Sequence, residues 1–466
     1  MDFREHTVED LAARVRRREV SARELAGAAV ERIEALDGTY HAFLAVDGER
    51  ALADAALVDE ALASGADVGP LAGIPIGVKD LEDAAGFRTT HGSALSADDA
   101  PAAVDSLFVS RLKAAGCVVV GKTNTPELGC KGDTSNRLGP PTVNPWNPER
   151  SAGGSSGGSA VAVAAGMVPL ATGSDGGGSI RIPAAICGLT GFKPSLGRVP
   201  VGGATPPNWA DLSAKGPMTA RARDAALVLD AVVGPDPSDL RSLPRPREPW
   251  RPQLDDPHPP LRVAWSPTLG YAPVDPAVAA VCRAAVERLA TTGCDVVEEP
   301  SVFPVDPVDA WLALTSASHL RTVGDLQGTA EWELLDPSIQ FAVETAQGLG
   351  AGAVVAAQDA CHQLNHTLAT LLHDVSFLLT PVVAARVPAP WHMGTIDGQP
   401  DPNWIRFTYP FNLTRSPAGT VCVGHTDDGV PVGLQVVGAQ HADAAVLRVL
   451  AYLEEAVGVT GRAPVG

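Results

Sequence analysis

The sequence predicts an α/β protein whose mixed, largely buried β-sheet is covered by helices. Amphipathic helical segments alternate with short apolar runs along the 466 residues, and this alternation is typical of helices packed on a sheet. Apolar residues make up 45% of the chain and charged residues 19%, an ordinary composition for a soluble globular protein. A chain of this length can bury a large core.

The N-terminal segment predicts two amphipathic helices, over residues 7–20 and 21–36. Each begins at a hydroxyl residue, Thr7 or Ser21, with an acidic residue three positions later, which is the pattern of a capping box. A third, alanine-rich helix is predicted over residues 50–63.

A lysine ends the next predicted element. Ile74, Ile76 and Val78 alternate with smaller residues and predict a strand over residues 74–79 that finishes at Lys79. A lysine in this place either extends its charged end to solvent or serves a function in buried surroundings. Its position alone leaves both interpretations open.

Periodicity and turn residues predict the remaining elements. Residues 121–154 form a long irregular segment, which we interpret as a packed, site-forming loop. Residues 234–260 hold nine prolines and resemble a linker. Helices are predicted over 106–115, 221–233, 276–292, most of 308–372 and 442–457; strands over 117–120, 261–265, 295–297, 377–380 and 432–437; and a surface loop over 388–402.

Charge and cysteine usage exclude several function classes. The net charge of −19 argues against binding to nucleic acid or to an anionic membrane surface. The seven cysteines are scattered and form no C-x-x-C pair, so neither a disulfide framework nor a zinc site is expected. The N-terminus lacks the apolar region of a signal peptide, and the expected location is the cytoplasm. We expect no metal and no cofactor.

A literal G-x-S-x-G occurs at Gly153, Ser155 and Gly157. The nucleophile elbow of α/β-hydrolases needs a strand before such a serine and a histidine downstream. The residues before Ser155 do not predict a strand, and His425 and His441 lie in polar segments that suggest exposure. We therefore favour a base other than histidine. A buried lysine with a lowered pKa can fill that role.

Two glycine–serine clusters, over residues 153–159 and 173–179, enclose an apolar segment rich in alanine and valine. A flexible linker would have nothing to bury between them, so we expect these glycines to bring backbone close to other groups. Together with GPLAGIPIGVKD before them, the runs GGSSGGSAVAVAAG and GSDGGGSIRIPAAICGLTGFKPS resemble the amidase signature family of serine hydrolases. The 24-residue spacing from Ser155 to Ser179 belongs to the same pattern.

The resemblance implies a Ser–cis-Ser–Lys triad for cleavage of amide C–N bonds. Ser179 would be the nucleophile, and Ser155, preceded by a cis peptide bond, would pass the proton to Lys79 as the base. The family fold is one α/β/α domain with a mixed sheet of about eleven strands. This implies a single domain over residues 1–466, with the signature region at about 70–200 and a variable helical region at about 300–375.

The resemblance also assigns groups around the nucleophile. Backbone N–H groups would form the oxyanion hole, from Gly176, Gly177, Gly178 and Ser179. Asp175 and Arg181 would support this loop as a buried ion pair. The chain departs from the family at Gly176, where a third consecutive glycine should loosen the loop, and at Arg415, which replaces a common glycine. Arg415 either covers the site, meets an anionic group or lies at the surface.

The acyl pocket is expected beside residues 129–132, which begin with Gly129 and Cys130 and are mostly small. This suggests room for a bulky or aromatic group. Apolar walls are expected from tryptophans of the second half of the chain, Trp209, Trp311 and Trp404, although each suits a core position equally well.

These residues favour a broad-specificity hydrolase of hydrophobic or aryl amides, as in an aryl acylamidase. Esters and carbamates are expected as side substrates, the latter as in a urethanase. The expected partners are a small amide substrate and water, and the family also allows a homodimer. One alternative is the glutaminase component of a tRNA-dependent amidotransferase, which works with partner subunits. Another, of a different class, is a noncatalytic binding or scaffold member of the family.

Overall fold

The computed structural model describes residues 1–204, 206, 207, 209, 211–459 and 461–465. Within them, eleven strands form one mixed sheet in the order β1-β3-β2-β4-β6-β5-β12-β13-β9-β7-β8. A separate two-stranded hairpin pairs β10 with β11. The strands are β1 (Phe43–Val46), β2 (Pro75–Lys79), β3 (Val118–Thr123), β4 (Leu170–Asp175), β5 (Thr190–Lys193), β6 (Ala214–Thr219), β7 (Arg262–Trp265), β8 (Asp295–Glu298), β9 (Phe377–Pro381), β10 (Gly394–Ile396), β11 (Gln399–Asp401), β12 (Ala418–His425) and β13 (Pro431–Val437).

Helices cover the sheet and bury most of its residues, which confirms the predicted α/β class with a mixed, buried sheet. No helix in the described ranges has the length and apolar character needed to cross a membrane. The helices are α1 (Val8–Arg16), α2 (Ala22–Tyr40), α3 (Gly48–Ala63), α4 (Leu107–Ala114), α5 (Gly157–Ala164), α6 (Arg181–Ile186), α7 (Ala222–Val232), α8 (Pro276–Ala290), α9 (Val308–Val323), α10 (Pro337–Gln347), α11 (Ala351–Asp374), α12 (Pro410–Leu413) and α13 (Asp443–Ala456).

Both predicted helix starts are observed. The Thr7 hydroxyl accepts a hydrogen bond from the N–H of Asp10 and caps α1. Ser21 and Glu24 form the full reciprocal capping box at the start of α2. These local signals are readable in sequence because a cap involves residues only three positions apart.

Three sequence expectations differ from the structure. The proline-rich residues 234–260 are not a free linker, because Trp250 is buried and its backbone N–H donates to the Asp230 carboxylate. The predicted surface loop over 388–402 contains the β10–β11 hairpin. The sequence analysis also missed strands β1, β5, β6 and β12. In β5 and β6, glycines, lysines and a proline have low strand propensity, and neighbouring strands hold them in place.

The strand order places the candidate site at one edge of the sheet. Strand β2 lies between β3 and β4 and runs parallel to both. The carboxyl ends of parallel neighbours meet at the same edge, so the last residues of β2 and β4, Lys79 and Asp175, lie there together. The backbone N–H of Lys79 donates to the Thr172 hydroxyl at 2.8 Å, which fixes the end of β2 against β4.

A buried carboxyl group links the N-terminal helix to the sheet layer. Asp224, on α7, accepts a hydrogen bond from the N–H of Val8 at 3.0 Å, at the start of α1. Burial raises the pKa of Asp224 from 3.8 to about 6, against the opposing effects of Arg221 and of hydrogen bonds from α1. The stability contributed by this raised pKa is present below pH 3.8 and is lost as the pH rises through 6.

We predict that Asp224→Asn makes the protein more stable than the wild type at pH 8, by about 1 to 3 kcal/mol, and leaves stability nearly unchanged at pH 4. The amide keeps a carbonyl oxygen for the Val8 N–H and removes the buried charge. Urea unfolding at the two pH values measures the difference. Asp98→Asn at an exposed position is the matched control for net charge. An equal effect of both substitutions would contradict the assignment to burial.

Candidate active site

The amino group of Lys79 is enclosed by hydroxyl groups. Lys79 is fully buried, so it does not extend to solvent. Its Nζ lies 2.8 Å from Ser155 Oγ, 2.9 Å from Ser156 Oγ and 3.0 Å from Ser174 Oγ. Burial lowers the pKa of Lys79 well below 10.5, and the positive charge of Lys215 acts in the same direction. The structure therefore favours a neutral amine that can accept a proton.

The first glycine–serine cluster brings Ser155 to this amine. The peptide bond between Gly154 and Ser155 is cis, as the family resemblance implies. A side chain on Gly154 would approach the Lys131 carbonyl oxygen to 2.8 Å, so only glycine fits there. Ser156 follows, immediately before helix α5, and its hydroxyl also reaches Lys79.

The second cluster places Ser179 beside the first. Ser179 lines a cleft and is 8% exposed, and its carbonyl oxygen accepts a hydrogen bond from the N–H of Ser156 at 3.2 Å. Both Ser155 and Ser179 are described, and no hydrogen bond joins their hydroxyl groups in this structure. The predicted contact from the nucleophile to the bridging serine is therefore not formed here. Catalytic hydrogen bonds often tighten only when substrate is bound.

The oxyanion loop differs from the prediction at one residue. The N–H of Gly178 donates to Asp175 Oδ1 at 2.8 Å and is already used. In the described part of the chain, the N–H groups of Gly176, Gly177 and Ser179 have no hydrogen-bond partner. The groups available for a developing oxyanion are therefore these three, without Gly178.

Asp175 and Arg181 form the expected buried ion pair. The guanidinium meets both carboxylate oxygens, with Nη2 at 2.8 Å from Oδ1 and Nε at 2.9 Å from Oδ2. Burial alone would raise the pKa of Asp175, but the Arg181 charge and hydrogen bonds hold it below its usual range. The pair is fully hydrogen-bonded through three further residues that the sequence did not indicate, Thr408, Asn412 and Gln435.

The third glycine does not leave the loop loosely packed. A side chain on Gly176 would come within 2.5 Å of the Trp209 ring, so that ring occupies the space beside it. A side chain on Gly177 would likewise come within 2.7 Å of the Trp311 ring. The expected loosening at Gly176 is therefore wrong as a description of the packing. Glycine here allows a tryptophan to approach the backbone.

The cleft beside Ser179 spans about 230 Å³, a volume that includes space open to solvent. The indole rings of Trp209 and Trp311 form part of its wall. Its lining is mainly apolar and small and consists of Gly129, Cys130, Lys131, Gly132, Gly154, Gly177, Ser179, Ile182, Trp209, Trp311 and Ile405. Burial raises the pKa of the Cys130 thiol, which disfavours a thiolate nucleophile.

The structure corrects one predicted role near the cleft and decides between the alternatives for another residue. Trp404 does not line the cleft but packs behind Gly132, and the neighbouring Ile405 takes the place at the wall. Arg415 is exposed and its Nε donates to the Asp211 carbonyl at 3.3 Å, which supports the surface alternative. Its φ of 61° explains why glycine suits that position.

The two histidines considered as candidate bases, His425 and His441, form no hydrogen bond with Lys79, Ser155 or Ser179 in the described part of the chain. His441 is exposed as expected, whereas His425 is partly buried against the Trp146 ring at 4.7 Å between ring centroids. Burial lowers the pKa of His425. Among the described residues, no group of three or more histidine, cysteine, aspartate or glutamate side chains is arranged to hold a metal ion.

Sequence reasoning missed Ser156 and Ser174 as partners of Lys79. A usable signal existed for Ser174, because it lies two residues after Thr172 on the same face of β4, beside the end of β2. For Ser156, the usable signal was its position directly after Ser155 in the sequence. Trp311 was noted only as a wall, and its contact with the loop depends on a separation of 135 residues along the chain.

Comparisons with known proteins find relatives along nearly the whole chain. A family model described as Amidase matches residues 24–447. An acylamidase from Rhodococcus erythropolis is 37% identical over 458 residues, covering 96% of this chain and 94% of that protein. The A-type component of the glutamyl-tRNA(Gln) amidotransferase of Thiobacillus denitrificans is 35% identical over 469 residues, covering 94% of each.

A solved structure gives the same result for the fold. The crystal structure of a bacterial aryl acylamidase of the amidase signature family matches with a TM-score of 0.89 and 27% identity. The match covers 97% of this chain and 96% of that one. The chain belongs to the amidase signature family and is a hydrolase that acts on amide C–N bonds.

Proposed function

We propose that the chain hydrolyses amides through an acyl-enzyme on Ser179, with Lys79 as the base and Ser155 as the proton bridge. The observation that carries this proposal is the buried Lys79 amine, which is held by hydroxyl groups and has no carboxylate of the described residues in hydrogen-bonding contact. An amine in these surroundings favours the neutral state.

The hydrogen-bond capacity of the amine assigns the three hydroxyl groups. A neutral amine has two N–H donors and one lone pair, whereas an ammonium has three donors. Ser156 Oγ lies 3.4 Å from the Ser174 carbonyl oxygen and donates its proton there, so it accepts from Lys79. If Ser174 accepts the second N–H, the lone pair is left for the hydroxyl proton of Ser155.

The reaction then proceeds in two acyl-transfer steps. Ser179 Oγ attacks the amide carbon while its proton passes to Ser155 Oγ and the Ser155 proton passes to Lys79. The N–H groups of Gly176, Gly177 and Ser179 receive the oxyanion. When the C–N bond breaks, the amine takes a proton from Ser155, which regains one from Lys79. Water repeats the sequence on the acyl-enzyme and releases the carboxylic acid.

The cleft lining favours a hydrophobic or aryl acyl group. Apart from glycine backbone and Ser179, the walls are mostly apolar side chains such as Trp209, Trp311 and Ile405. The charged residue in the lining, Lys131, is paired with Asp336 at 2.6 Å. The similarity to an acylamidase and to an aryl acylamidase supports the same substrate class. Esters and carbamates of comparable shape are expected as slower side substrates.

The glutaminase alternative requires charged partners for the amino and carboxylate groups of glutamine, and the cleft offers few. Turnover of acyl p-nitroanilides and of glutamine by the purified chain alone distinguishes the two. Glutamine turnover only after addition of partner subunits would favour the glutaminase. Failure of a fluorophosphonate to label Ser179 would favour a noncatalytic scaffold.

We also propose that the protein works in a reducing compartment such as the cytoplasm. All seven cysteines are unpaired thiols, and six of them are buried. Burial raises the pKa of Cys117 and Cys187, which keeps these thiols protonated and unreactive.

Ser179→Ala is expected to reduce kcat/KM for an anilide by at least about 1000-fold, because the acyl-enzyme cannot form. The Ser179 side chain lines the cleft, so the fold should tolerate the loss of one oxygen. Steady-state assays with a thermal melting curve measure both effects. Residual activity within tenfold of the wild type, on a folded variant, would reject Ser179 as the nucleophile.

Ser155→Ala and Ser174→Ala remove hydroxyl groups at similar distances from Lys79, so they form a matched pair. Ser155→Ala removes the proposed proton bridge and should reduce kcat/KM by about 1000-fold or more. Loss of Ser174 should leave most of the activity and shift the acid limb to lower pH, because one acceptor for the ammonium form is removed.

The pH profile of kcat/KM measures this difference. Activity should fall as the pH drops through the lowered pKa of Lys79 and the amine becomes protonated. Equal losses in the two variants would contradict the assignment of Ser155 as the bridge. A wild-type profile with no acid limb would contradict a neutral lysine base.

A further inference from the structure

Hydrogen bonds to the carbonyl oxygens of residues 175–178 set the directions of the N–H groups proposed for the oxyanion hole. In a trans peptide, the C=O of one residue and the N–H of the next point in opposite directions. The described peptide bonds from Asp175 to Ser179 are trans. A hydrogen bond that holds one carbonyl therefore aims the following N–H group.

Each available N–H group follows a held carbonyl. The Asp175 carbonyl, before Gly176, accepts from Asn412 Nδ2 at 2.7 Å. The Gly178 carbonyl, before Ser179, accepts from the N–H of Ile182 at 2.7 Å.

The middle peptide depends on a side chain from a distant helix. Trp311 Nε1 donates to the Gly176 carbonyl at 3.0 Å, so the N–H of Gly177 points away from the indole nitrogen. That N–H has no partner in the described part of the chain. Trp311 lies in the first turn of α9, within the region expected to vary most in the family.

We propose that Trp311 is a positioning residue for amide hydrolysis, whose indole N–H holds the Gly176 carbonyl and thereby aims the Gly177 N–H at the oxyanion. This inference rests on the function proposed above. It also gives Trp311 two roles, because the same ring lines the cleft. The helix that carries the substrate wall would then also set the geometry of the oxyanion hole.

The indole ring is held by contacts with Tyr409 and Gly177. Tyr409 stacks on Trp311 with 5.4 Å between ring centroids and an interplanar angle of 23°. Gly177 lies against the ring, where a side chain would approach to 2.7 Å. The start of α9 is fixed by Asp306, which accepts from the N–H of Val308 at 3.1 Å and also from the Tyr409 hydroxyl. A ring fixed in this way can orient a peptide without reorganisation during the reaction.

Trp209 provides an internal comparison. Its ring lies 5.7 Å from that of Trp311, in an edge-to-face arrangement, and also lines the cleft. Its ring occupies the space that a side chain on Gly176 would need, as the ring of Trp311 does at Gly177. Its Nε1 is buried and, unlike that of Trp311, has no hydrogen-bond partner among the described residues. The two tryptophans therefore differ mainly in the hydrogen bond to the loop.

The test compares Trp311→Phe with Trp209→Phe in the full chain, using an acyl p-nitroanilide. Trp311→Phe is expected to reduce kcat by about 10- to 100-fold with KM changed by less than about threefold, because one oxyanion donor is no longer aimed. Trp209→Phe removes part of a side chain that lines the cleft and is expected to raise KM more than it changes kcat. Phenyl trifluoromethyl ketone, which adds to Ser179 as a tetrahedral mimic, should bind Trp311→Phe more weakly by a factor similar to the loss in kcat/KM.

A second variant separates the N–H from the ring. Site-specific Trp311→3-benzothienylalanine replaces the indole N–H by sulfur at nearly constant shape, and it should reproduce the loss in kcat. Unchanged kcat in this variant, or a loss of kcat in Trp209→Phe equal to that in Trp311→Phe, would overturn the proposal. Failure of the proposed function would look different, because the wild type itself would then neither turn over the anilide nor bind the ketone.

Discussion

The site depends on a buried amine that has no counter-ion in hydrogen-bonding contact within the part of the chain that the structure describes. Two lysines end up fully buried on neighbouring strands, but their surroundings differ. Lys122 is paired with Asp80 at 3.0 Å, which compensates its charge. The Nζ of Lys79, which is next to Asp80 in the sequence, forms hydrogen bonds with three serine hydroxyl groups among the described residues. An unpaired ammonium is costly to bury, so the fold itself favours the neutral amine that a base requires.

In the mechanism that we propose, residues 175–179 must present backbone N–H donors, and not carbonyl acceptors, to the cleft. Their carbonyl oxygens are held by Asn412, Trp311 and Thr408, which come from segments far away in the chain. The Asp175–Arg181 pair fixes the base of the loop and uses the N–H of Gly178. The consecutive glycines thus permit close contact with bulky groups, and those groups supply the rigidity that glycine lacks.

The sequence indicated the residues of the proposed triad more directly than the residues that surround them. Lys79, Ser155 and Ser179 lie in long motifs, so the family resemblance indicated them directly. The contact of Ser174 with Lys79 needs the strand register, and the contact of Trp311 with Gly176 needs the tertiary fold. Strands β5 and β6 escaped prediction because their pairing partners, and not their own propensities, make them strands. Capping residues were predictable because their interactions are local.

The most direct test is the ionisation of Lys79 in the intact enzyme. The chain has only six lysines, so ¹³Cε-lysine NMR resolves few signals, and the spectrum of Lys79→Met identifies the one of interest. Lys193, whose pKa burial lowers to about 7, gives a second low titration that this comparison separates. Our account predicts that Lys79 loses its proton well below pH 10.5. A Lys79 that stays protonated up to pH 10.5 would contradict the neutral-lysine mechanism.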